Sequence, residues 1–128
     1  MSKLFAYLSY RRVDAAISWL EALGFEITAR QEDDDGNVVH GELRLGDAVV
    51  MVAPADEPYK TPRLLGRSTG GGLYLLVDDV AGIHGAALDS GGAEVFAPEK
   101  TEWGTERARV LDPEGHEWSF GTYEPGGG

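Results

Sequence analysis

One pattern, written twice at a spacing of 67 positions, constrains this chain more than any other feature of its sequence. Shifting by that interval brings Phe5 onto Gly72, Tyr7 onto Tyr74, Tyr10 onto Val77, Val13 onto Val80 and Gly24 onto Gly91. A repeat at fixed period means that one supersecondary unit is built twice, so the fold is sought as two copies of a module. In the first copy, Leu4 to Tyr10 is a short aromatic run read as a strand. A helix follows, with Asp14 to cap it, Ala16, Trp19, Leu20 and Leu23 at helical spacing, and Gly24 to stop it. Phe25 to Arg30 and Val38 to Leu45 read as strands joined by the hairpin signal Asp33 to Asn37, and Gly46-Asp47 turns into a last strand, Ala48 to Ala53.

The second copy repeats that order. Leu73 to Val77 is its strand and Val80 to Ser90 its helix, with Ile83, Ala86 and Ala87 inward and Gly91-Gly92 as the stop. Ala93 to Phe96, Arg107 to Leu111 and Glu117 to Phe120 complete it, the last two joined by Asp112-Pro113-Glu114-Gly115, a turn with Pro second and Gly fourth. The reading is therefore an α+β fold of two tandem βαβββ modules forming a curved mixed-sheet groove. Module one covers about 3–54, a Pro- and Gly-bearing linker 55–71, module two about 72–123 and a disordered tail 124–128. With 128 residues and 42% apolar content, the expectation is a single domain over 1–128.

Composition excludes several functions. The net charge of −11 disfavours nucleic acid, whose binders rely on clustered Lys and Arg. No run of about 18 apolar residues and no signal-like leader is present, so a cytoplasmic protein without a membrane partner is expected. With no cysteine there is no disulfide, thiolate site or thiol nucleophile. Gly70-Gly71-Gly72 lacks the Lys of a phosphate loop, and no Gly-x-Ser-x-Gly elbow occurs.

Strand alternation assigns faces. Leu4, Ala6 and Leu8 are expected on the helix, with Phe5, Tyr7 and Ser9 opposite; Val50 and Val52 inward, with Val49, Met51 and Ala53 opposite. Leu73, Leu75, Val77, Trp118 and Phe120 point inward, against Gly72, Tyr74, Leu76, Glu117 and Ser119. The opposite face is so apolar that a ligand or a second sheet should cover it.

Val13 to Leu20 followed by Leu23-Gly24-Phe25, together with Asp112 to Phe120 near the end, resembles the vicinal oxygen chelate superfamily of glyoxalases, extradiol dioxygenases, fosfomycin-resistance enzymes and bleomycin-resistance binding proteins. The resemblance spans about residues 4 to 123. In its metal-dependent members, the ligands occupy places that fall here on Phe5, Met51, Gly72 and Ser119, a set unsuited to a divalent ion, so neither metal nor cofactor is expected.

The resemblance and the aromatic face together imply a small-molecule binding protein of the drug-sequestering, antibiotic-resistance kind, acting as a homodimer on a planar, hydrophobic or partly cationic natural product. Its expected ligand-binding residues are Phe5, Tyr7, His40, Glu42, Met51, Tyr59, Tyr74, Trp103, Arg109 and Ser119. Trp103 stands out because its surroundings, Thr101 to Glu106, are polar and Gly-bearing, unlike those of a core Trp. Tyr7, Tyr10 and Tyr74 have dimer packing as a competing role. Arg107 and Arg109 share the groove side and pair with Glu42 and Glu117 or answer an acidic ligand; His84 is expected exposed and His116 in a turn. The alternative function is a glyoxalase-like lyase or isomerase in which His40, Glu42 or Glu117 moves protons without a metal.

Overall fold

The structure, a computed structural model, describes residues 2–56 and 70–126. The chain divides into two compact units, Met1–Lys60 and Thr61–Gly128, each carrying one βαβββ module. The first holds β1 (Ala6–Tyr10), α1 (Val13–Ala22), β2 (Glu26–Glu32), β3 (Val38–Leu45) and β4 (Ala48–Pro54). The second holds β5 (Gly72–Leu76), α2 (Val80–Asp89), β6 (Ala93–Lys100), β7 (Glu106–Leu111) and β8 (Glu117–Gly121). Their sheets have matching orders, β1-β4-β3-β2 and β5-β8-β7-β6, with the first strand parallel to the last and every other neighbour antiparallel.

The two helices stand 67 residues apart and end alike. At the close of α1 the Gly24 and Phe25 amides donate to the Glu21 and Leu20 carbonyls; at the close of α2 the Gly91 and Gly92 amides donate to those of Leu88 and Ala87. Gly24 and Gly91 adopt φ of 109° and 105°, a left-handed turn that a side chain would disfavour. Their beginnings differ. Asp79 caps α2, its carboxylate accepting from the Gly82 amide at 2.9 Å, whereas α1 starts from Arg12 with no side-chain cap. Asp14, expected to cap α1, sits in its first turn instead.

Each helix covers one face of its own sheet. Trp19, Leu20, Ile17, Leu43, Val50 and Val52 form the first core, and Val80, Ala87, Ala108, Val110, Trp118 and Phe120 the second, all nearly inaccessible. Burying each large apolar side chain stabilises its unit by about 1.5–3 kcal/mol. Three expectations fail here. Leu4 lies before β1 and is fully exposed rather than packed on the helix, because pairing with β4 begins only at Ala6. Tyr10 is core, 1% exposed, so it has no surface to offer a partner. His84 is buried, because α2 turns its Val80, His84 and Ala87 side inward. Its Nε2 stands 3.0 Å from a Glu94 carboxylate oxygen, outside hydrogen-bond alignment.

Candidate functional site

On the face away from its helix, each sheet carries a row of three side chains in register. In the second unit the row is Tyr74, Ser119 and Arg109; in the first it is Tyr7, Met51 and Glu42. Glu42 and Arg109 are 67 residues apart, while Met51 and Ser119 are 68 apart. The extra residue enters at the last turn, where the five residues from Asp112 to His116, between the Leu111–Glu117 pair, stand in place of the four from Leu45 to Ala48, between the Arg44–Val49 pair. Equivalent positions thus carry opposite charge.

Arg109 donates from Nε to the Ser119 hydroxyl at 2.8 Å, lies 3.7 Å from a Glu117 carboxylate oxygen, and stacks its guanidinium 5.2 Å from the Phe96 ring centre. Its expected pairing with Glu117 is present, and Glu117 is 7% exposed. Arg107 instead pairs with Glu99, its Nε donating to Oε1 at 2.8 Å, because Glu99 is its register partner on β6. Glu42 is joined to His40 at 2.8 Å on β3, both half-buried. His116 lies just past the Gly115 turn, its amide donating to Asp112.

These groups do not make a donor set for a divalent ion. Phe5 is half-exposed hydrocarbon, and Gly72 packs so closely on Glu117 that a β-carbon would strike its carbonyl oxygen. Met51 offers a soft thioether, and the Ser119 hydroxyl already accepts from a cation. Among the described residues, no three His, Asp or Glu side chains converge.

What the second unit does hold is a cavity of about 460 Å³, lined by Tyr74, Thr101, Trp103, Thr105, Glu106, Arg107 and Tyr123. It falls within the range of small-ligand pockets, roughly 300–1,000 Å³. The turn between β6 and β7 builds one wall. Thr101 and Thr105 face each other hydroxyl to hydroxyl at 2.7 Å, the Thr101 amide donates to the Thr105 carbonyl at 2.8 Å, and Gly104 takes a φ of 83°. This brace holds Trp103 at the tip, 78% exposed.

Opposite, the Tyr74 hydroxyl donates to the Tyr123 carbonyl at 2.6 Å, clasping the segment after β8 to the sheet. Burial pushes the Tyr74 phenol above its ordinary 10, so it remains a donor at neutral pH. Of the expected site residues, Tyr74 and Trp103 line this cavity, Arg109 and Ser119 lie on the same sheet, and Phe5, Tyr7, His40, Glu42 and Met51 belong to the first unit. Tyr59 lies outside the described residues. Tyr123 and the two threonines escaped the sequence reading, although an aromatic just beyond the last strand was a signal for the first.

Residues 5–120 match the family model described as Glyoxalase/Bleomycin resistance protein/Dioxygenase superfamily. A comparison with curated proteins returns no match. Among solved structures, TioX from Micromonospora sp. ML1 is 31% identical, with 94% of each chain covered and a TM-score of 0.73. A bleomycin-binding protein complexed with bleomycin is 23% identical, over 97% of this chain and all of the other, with a TM-score of 0.62. A bleomycin resistance determinant encoded on transposon Tn5 is 24% identical over 97% and 99%, with a TM-score of 0.65.

Proposed function

We propose, from the premise that the chain belongs to the Glyoxalase/Bleomycin resistance protein/Dioxygenase superfamily, that it sequesters a planar, hydrophobic natural product without altering it, as an antibiotic-resistance protein does. The observation that carries this reading is the position of Trp103 at the mouth of a cavity that also presents Tyr74 and Tyr123. An indole left in water forgoes several kcal/mol of burial, about 4 for roughly 150 Å² of ring. A flat ligand recovers it by stacking, with about 0.5–1.5 kcal/mol more from ring geometry. Binding needs only such area and shape, whereas catalysis needs a positioned proton acceptor or Lewis acid. The fold likeness to two bleomycin-resistance structures supports the reading. The exposed Tyr7, Tyr74 and Leu76 support a homodimer, and no helix among the described residues is long and apolar enough to cross a membrane.

The test is a titration with planar antibiotics, bleomycin included, followed by Trp fluorescence. Trp19 and Trp118 are buried, so quenching reports on Trp103. Saturable quenching, at least a tenfold loss of affinity in Trp103→Ala, and recovery of the ligand unchanged are expected. Recovery of a converted product would instead favour the second reading, a glyoxalase-like lyase or isomerase working through the His40–Glu42 contact. Conversion would then be lost in His40→Gln and Glu42→Gln.

A further inference from the structure

Resting on the reading that the Trp103 cavity takes a planar molecule, we propose that this cavity selects planar aromatic acids and that Arg107 reads the acid. Every charge on the cavity wall has a traceable direction. Ala108 and Val110 are fully buried against the helix, so alternation along β7 turns Arg107 and Arg109 to the opposite side, with Tyr74. Glu106 has the parity of Ala108. It reaches the cavity from the strand end, where its amide donates to the Thr122 hydroxyl at 2.9 Å and its carbonyl accepts from the Thr122 amide at 3.1 Å. Arg107 is thus the charged side chain that the strand directs at the ligand, in a chain whose net charge is −11.

Three of the other polar groups of the wall are bonded within it. The Thr101 and Thr105 hydroxyls bond to each other, and the Tyr74 hydroxyl is committed to Tyr123. Arg107 is held but not saturated. Its Nε donates to Glu99 and its guanidinium lies 5.5 Å from the Phe96 ring centre, which fixes its plane. Among the described residues its two terminal nitrogens donate to no other group. A carboxylate set beside an aromatic ring meets that pair of nitrogens in the two-pronged geometry that Arg favours, while the ring stacks on Trp103 and the tyrosines.

Glu99 is the internal rival of such a ligand. Both partners of its pair with Arg107 are about half-exposed, 55% and 48%, and exposed pairs of this kind are weak, so an incoming acid shares or displaces it. The overall negative charge acts only weakly on a bound acid, since exposed charges more than about 8 Å away are largely screened at physiological ionic strength.

Three probes with one ring and three charges test this by calorimetric titration: 2-naphthoate, 2-naphthamide and 2-naphthylmethylammonium. The acid is expected to bind at least tenfold tighter than the amide, and the ammonium most weakly. Arg107→Gln abolishes the advantage of the acid, bringing its affinity down to about that of the amide, whereas Trp103→Ala weakens both probes alike. Glu99→Gln raises the affinity for the acid severalfold. Equal affinity for acid and amide, with both still lost in Trp103→Ala, overturns the acid reading and leaves the planar-ligand reading standing. Failure of all three probes to bind, or binding indifferent to Trp103→Ala, overturns the planar-ligand reading itself.

Discussion

Gly121, the last residue of β8, has no room for a side chain. A β-carbon there would meet the hydroxyl and outer ring of Tyr74, so the glycine is what lets that ring lie along the sheet and reach the Tyr123 carbonyl. Gly121→Ala should therefore displace Tyr74, destabilise the protein by about 1–3 kcal/mol as overpacking does, and weaken planar-ligand binding, all readable by denaturant titration and fluorescence. Tyr74→Phe keeps the ring but cuts the clasp. Its expected cost is smaller, about 0.5–1.5 kcal/mol, and combining the two changes should cost less than their sum, because both act on one contact.

Among the elements, the turn between β7 and β8 depends most on a single side chain. Asp112 is fully buried and accepts from the Glu114 and His116 amides, both at 3.0 Å, and from the Trp118 indole at 3.3 Å. Asp112→Ala would strand those buried donors and should lower stability by about 2–4 kcal/mol, against about 1 for Asp112→Asn, measured by urea unfolding. The helices, their glycine stops and the Val38–Leu45 strand were legible in the sequence because each carries a local signal of its own. The second half of β6 was not: the strand expected over Ala93 to Phe96 runs on to Lys100. A proline cannot donate to a strand ladder, but β6 is an edge strand and absorbs Pro98 where its register slips between Phe96 and Glu99. That longer strand is what carries Glu99 opposite Arg107 and lifts Trp103 to the rim. His84 was misplaced for a related reason: helical spacing favoured it for the inner side, but its polarity hid it. The equivalent position in the first unit, 67 residues earlier, is Ile17.

For the whole molecule, the aromatic surface makes an assembly prediction. Phe5 and Tyr7 are 49% and 64% exposed, and apolar surface of that kind in a small protein marks a contact. Sedimentation should give twice the 13.8 kDa chain mass, and Tyr7→Glu should return it to the single chain. A monomeric parent would rule out the homodimer. The strand orders carry a different consequence, for synthesis. Ala6 pairs with Val50, 44 residues further on, and Gly72 with Glu117, 45 further on, whereas the hairpins between them close over a few residues. Short loops close sooner than long ones. As the chain grows, β2 and β3 can zip together before β4 exists, and β1, made first, waits for β4 as its neighbour. The earliest-made strand of each unit is therefore the last to find its place, and the Tyr7 edge stands open until Pro54 has been added.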